Sequence, residues 1–126
     1  MDYALRILNN IFDEEQIEEI LQGFANGLTT EQIKIYARPH FTWEQMSEIR
    51  EGLNNGLTTE QLMILANKEL EWYKMEQIRY GFIQGLSVEE VEIYARPEFE
   101  WLKMYKLREK LTRKTNHNST CEKPPK

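Results

Sequence analysis

Apolar residues recur three and four apart in three blocks: Ile17, Ile20 and Phe24; Met46, Ile49 and Leu53; Met75, Ile78 and Phe82. That spacing places each trio on one face of an α-helix. Shorter blocks lie between them, Ile33, Tyr36 and Ala37, then Leu62, Leu65 and Ala66, then Val91, Tyr94 and Ala95. The blocks themselves repeat. Gly27, Gly56 and Gly85 lie 29 residues apart, as do Leu28, Leu57 and Leu86, then Trp43, Trp72 and Trp101, and the series Phe12, Phe41, Leu70 and Phe99. A fixed period of this size marks units that bury their apolar faces against neighbours. The pattern predicts an all-α chain, a short α-solenoid of helix-turn-helix repeats with a half-repeat at each end and eight helices in all.

Polar punctuation agrees with the apolar pattern. Asp13 with Gln16, Thr42 with Gln45, Thr29 with Gln32, Thr58 with Gln61 and Ser87 with Glu90 have the spacing of reciprocal capping pairs that satisfy the free amides of a first turn. Asn26-Gly27-Leu28 and its two copies place glycine where the chain must turn left-handed to stop. Pro39 and Pro97 are expected to end two of the shorter helices, with Asn67-Lys68 departing from the pattern in the middle unit. A second glycine column, Gly23, Gly52 and Gly81, falls inside the longer helices and predicts close helix approach. The expected boundaries are a half-repeat at 2–11 whose helix is capped by Asp2, repeats at 12–40, 41–69 and 70–98, a half-repeat at 99–114, and a disordered basic tail at 115–126.

Charge adds an asymmetry to this picture. The chain has a net charge of -5, but residues 1–102 hold 19 acids against 8 bases and residues 103–126 hold 2 acids against 8 bases. An acidic helical body is first of all a solvated one. No run reaches the length of a membrane helix and the amino terminus lacks a secretory pattern, so a cytoplasmic protein is expected. The single cysteine, Cys121, allows no internal disulfide, and the Asn118-Ser119-Thr120 triplet has no secretory context.

Catalytic chemistry has little to stand on. The two histidines, His40 and His117, sit at an inter-repeat turn and in the tail, and no clustered Cys or His and no phosphate-cradling glycine loop occurs. No enzyme, cofactor, metal or small-molecule substrate is expected. Arg38 and Arg96 read as complements to helix carboxyl ends, and the glutamates as complements to amino ends. The tryptophan column is expected to form a packed inter-repeat spine, with an aromatic binding strip as the other reading. Where columns fail to repeat, Met63, Tyr80 and Ile83 are apolar or amphipathic while their counterparts are mostly polar, and they are the candidate partner-binding patch. At the basic end, Lys103, Lys106, Arg108, Lys110, Arg113 and Lys114 are candidate phosphate contacts.

The strings GLTTEQ, IYARPHFTWEQMSEIREGL and EIYARPEFEW resemble tandem helix-pair repeats, of the YARPEFxWxQMxEIRxGL type, found in uncharacterised proteins of gut Firmicutes and of their phages and mobile elements. The likeness spans residues 1 to about 112 and implies a helical repeat protein of mobile-element origin. It carries over no catalytic residue. Together, these readings predict a non-catalytic macromolecule-binding protein, a protein-binding adaptor or inhibitor. The resemblance extends this to an anti-defence role of the anti-CRISPR or anti-restriction kind. The alternative is a nucleic-acid-binding protein using its basic carboxyl-terminal helix.

Overall fold

The computed structural model of the chain describes the backbone of residues 10–122 and the side chains of residues 10–113. The expected half-repeat at 2–11 falls almost wholly outside the described residues. Those residues are all-helical, without a strand: α1 (Glu14–Ala25), α2 (Thr30–Tyr36), α3 (Trp43–Asn54), α4 (Thr59–Leu65), α5 (Trp72–Ile83), α6 (Val88–Tyr94) and α7 (Trp101–Glu122). Three long-short pairs thus precede one long helix. Each long helix packs on its own short partner, and the long helices pack on one another in the order α1, α3, α5, α7.

All five capping pairs form reciprocally, the side chain at the cap accepting from the third helical amide while the Gln or Glu there accepts from the cap amide. In α1 and α3 that glutamine does a second task. Gln16 Nε2 donates to the carbonyls of Pro39 at 3.2 Å and Phe41 at 2.6 Å, and Gln45 Nε2 to those of Lys68 at 3.1 Å and Leu70 at 2.7 Å. The start of each helix is thereby tied to the segment that leads into the next pair. Helix α5 departs, since Glu71 makes no side-chain cap. Lys74 takes the glutamine's place, 3.4 Å from the Glu71 carboxylate and donating to the Pro97 carbonyl at 3.0 Å.

Each long helix inside a pair ends in a Schellman turn. Gly27, Gly56 and Gly85 have φ of 87°, 82° and 97°, and the amides of Leu28, Leu57 and Leu86 return to the carbonyls of Gly23, Gly52 and Gly81 at 3.0–3.1 Å. The two glycine columns are therefore the two ends of one turn. The inner column has a further reason: a Cβ on Gly23 or Gly81 would collide with the hydroxyl of Tyr36 or Tyr94, and on Gly52 with Leu65. Those hydroxyls donate to the carbonyls of Glu19 and Gln77, both at 2.7 Å. Burial raises the Tyr36 phenol to about 12 and pushes Tyr94 up as well.

The short helices end differently from the expectation. All three stop at the same place, after Tyr36, Leu65 and Tyr94, whether or not proline follows. Ala37, Ala66 and Ala95 sit near φ -79° and ψ 69° and centre an inverse γ-turn, closed by the bonds Arg38 N–H to Tyr36 O, Asn67 N–H to Leu65 O and Arg96 N–H to Tyr94 O at 2.7–2.8 Å. Proline stiffens this turn in two copies. In the third, the Asn67 side chain accepts from the Glu69 amide at 2.9 Å and stiffens it by hydrogen bonding instead.

The core runs continuously from Phe12 to Met104 through the inner faces of both helix rows. Phe24 is a correction: its counterparts Leu53 and Phe82 are buried, but it is 47% exposed. The end of α7 also departs from the sequence reading. Helical backbone continues to Glu122, past position 114 where a disordered tail was expected, since no glycine or proline interrupts the chain from Trp101 until Pro124. No helix among the described residues is long and apolar enough to cross a membrane.

Replacing Gly56 by valine forces a β-branched residue into left-handed backbone at the centre of the chain. The expected cost is about 2 kcal/mol, read as a lower midpoint in thermal or urea unfolding followed by circular dichroism. Gly56→Asn should recover much of it.

Candidate functional site

The polar contacts between neighbouring long helices form the most regular feature of the molecule. Arg50 Nε donates to Glu19 Oε1 at 2.9 Å and its Nη1 to Asn26 Oδ1 at 3.2 Å. Arg79 repeats this one pair later, on Glu48 at 2.9 Å and Asn55 at 3.4 Å. Arg108 repeats it again, but on two amides, Gln77 Oε1 at 2.7 Å and Gln84 Oε1 at 2.6 Å. A planar guanidinium with donors on two edges suits such a two-point clamp better than an ammonium. The last rung lacks a carboxylate at the first acceptor position, and there the rings of Tyr80 and Tyr105 both lie 5.5 Å from the Arg108 guanidinium carbon. These aromatic faces, with the Glu109 carboxylate 3.8 Å away, supply the counterpart that the amides cannot.

This places several candidate residues. Tyr80 is half-buried, lies 5.1 Å from Arg79 as well, and its hydroxyl donates to Glu76 at 3.0 Å. Burial, then the Glu76 carboxylate, raises its phenol. Arg108 is buried at 6% exposure and faces the clamp. Met63 and Ile83 stand open, at 68% and 50%. The structure does not bring the three patch candidates together in one cavity: Met63 lines a cleft of about 250 Å³ with Ile35, Arg38, His40, Phe41 and Ala66 on the short-helix side. Tyr80 and Ile83 lie on the long helix α5. At the basic end, Lys103, Lys106, Lys110 and Arg113 are exposed, with Lys103 Nζ 4.1 Å from the Phe99 ring centre. The Lys114 side chain lies outside the described residues.

The tryptophan column is not a buried spine. Trp43, Trp72 and Trp101 are 43%, 42% and 39% exposed, and no two of them stack on one another; Trp101 stacks on Tyr105 and Trp72 meets Tyr73 edge to face. Trp43 and Trp72 both line a shallow cleft with Glu44, Ser47 and Glu48. The exposed side of the row could have been suspected from the polar neighbours of each tryptophan, but the spacing alone gives no sign of it. Among the described residues no group of His, Cys, Asp or Glu is placed to hold a metal ion.

Comparison with protein-family models, with curated proteins and with solved structures finds no match to the chain.

Glu48 tests how the clamp works. Burial raises its carboxyl above the ordinary range, partly offset by Arg79. A raised carboxyl contributes stability that is present at low pH and is lost as pH climbs through the folded value. Glu48→Gln reproduces the amide found at Gln77, so it should change stability at pH 7 by less than about 0.5 kcal/mol and flatten its pH dependence above the ordinary carboxylate range. Glu48→Ala leaves the Arg79 guanidinium only Glu76 at 3.9 Å and Asn55 at 3.4 Å and should cost about 1.5 kcal/mol. Urea unfolding at pH 5 and pH 8 checks both.

Proposed function

We propose that the chain is a non-catalytic, macromolecule-binding repeat protein, a short α-solenoid that acts in the cytoplasm as a protein-binding adaptor or inhibitor of phage or mobile-element origin. The observation that carries this reading is the contrast between interior and surface. Inside, the arginines and glutamines join one helix pair to the next and the tyrosine hydroxyls join the two helices of a pair, and among the described residues no buried side-chain N or O lacks a hydrogen-bond partner. Outside, Met63, Ile83, Ile93 and the tryptophan row leave large apolar groups in water, which favours association over chemistry. The resemblance to mobile-element repeats supports an anti-defence role, in which a small acidic protein occupies a host effector. The second reading, nucleic-acid binding, is favoured by the exposed Lys103, Lys106, Lys110 and Arg113 on α7.

The test pairs the wild-type chain with Ile83→Glu and Met63→Glu. Both positions are exposed, so each variant should melt within about 3 °C of wild type. A discrete bacterial protein retained stoichiometrically by the immobilised wild type should be lost with one of them. Retention undiminished by both variants would remove these residues from the interface, and submicromolar, salt-sensitive binding of DNA or RNA would replace the protein-binding reading with the second one.

A further inference from the structure

The clamp positions can be followed one step beyond the last clamp. In α1, α3 and α5 the two acceptors that receive the arginine of the next long helix are Glu19 with Asn26, Glu48 with Asn55, and Gln77 with Gln84. The corresponding positions of α7, 29 residues on from Gln77 and Gln84, are Lys106 and Arg113. The charge of the pair thus passes from negative, twice, to neutral and then to doubly positive. The helix-seating glycine changes in step: where α1, α3 and α5 carry Gly23, Gly52 and Gly81, α7 carries Lys110. All three cations are exposed and line one cleft of about 310 Å³ with Tyr105 and Glu109. An adjoining cleft of about 390 Å³ adds an apolar floor, Leu102 and Leu107. Leu107 stands where α1, α3 and α5 bury Ile20, Ile49 and Ile78, yet it is only partly covered.

We infer that this face of α7 is a seat for the helix of another protein, an amphipathic helix carrying a carboxylate where the chain's own long helices carry arginine. In register the face continues the surface by which α1 receives α3, α3 receives α5 and α5 receives α7, although in those units the short helix also meets the incoming one. Its polarity is inverted. A further helix of the α3, α5 or α7 kind would bring its arginine against Lys106 and Arg113, which excludes another copy of the same unit. An aspartate or glutamate in that place would be held between the two cations, with Lys110 beside it, while apolar residues of the same helix cover Leu102 and Leu107. The inference rests on the protein-binding reading but on a different surface from Met63 and Ile83, so failure of one leaves the other standing.

The test uses a synthetic peptide covering residues 42–55, cross-linked through its outward side chains to hold it helical, made with its natural Arg50 and as Arg50→Glu. Binding to the full chain is followed by amide chemical shifts. The Arg50→Glu peptide is expected to bind about fivefold more tightly than the Arg50 peptide, the upper range of a single exposed ion pair, with shifts concentrated at residues 102–113. In the full chain carrying Lys106→Glu and Arg113→Glu the preference should reverse. No binding of either peptide to the wild type would reduce the face to a solubilising cap and overturn the proposal, as would binding indifferent to the exchange or shifts centred elsewhere. Nucleic acid that binds these cations and displaces the peptide at lower concentration would assign the face to phosphates instead.

Discussion

Every helix pair in this protein depends on being fastened to its neighbour. A long helix of 12 residues and a short one of 7 form too small a unit to hold itself together. Apolar contact between long helices supplies the attraction, but it is tolerant of sliding. The arginine clamps are not. Each fixes one guanidinium at two points on the preceding helix, one acceptor near the middle and one at the carboxyl end. The amino-terminal glutamines complete the constraint from the other side, binding carbonyls at the entry to the following pair. Together they set both register and separation, one tie reaching backward along the chain and the other forward.

The two places where this scheme changes show what each part contributes. At α5 the cap pair and its glutamine give way to Glu71 and Lys74, and the lysine still reaches the same carbonyl column. The forward tie therefore needs a donor of sufficient length and not an amide as such. At the last clamp the carboxylate gives way to Gln77, and two tyrosine rings move in beside Arg108. The backward tie needs a hydrogen-bond acceptor at that position but not a carboxylate there, since the charge beside Arg108 comes from Glu109, 3.8 Å away.

Most of the helix pattern was legible in the sequence, because local chemistry and apolar spacing pointed the same way at each boundary. The five capping pairs, the left-handed glycines and the close approach at Gly23, Gly52 and Gly81 are all found. The short-helix ends were assigned to proline, whereas the alanine-centred turn is common to all three and is invisible to a reading based on helix breakers. The clamps were missed altogether. Arg50, Arg79 and Arg108 repeat at 29 residues, and so do their acceptors, but charged columns on a helix face look the same whether they are solvated or linked across 31 residues. The progression from Glu to Gln to Lys, at 48, 77 and 106, sits within the charge reversal that sets the basic end apart.

The surface is harder to read for a related reason. Uniform columns were taken to stack units and variable ones to face outward. Tyr80 breaks the rule in one direction: it varies from Gln22 and Glu51, yet it is half-buried between two arginines. The tryptophans break it in the other, since three identical residues each leave about two-fifths of their surface in water. A side chain that large can cover the flank of a neighbouring helix with one edge and remain open on the other. Uniformity therefore records a shared position in the helix pair, and variation records a local change in what surrounds it. Neither alone decides exposure. For Met63 and Ile83 the exposure is direct, and for the cations of α7 it coincides with an inverted clamp.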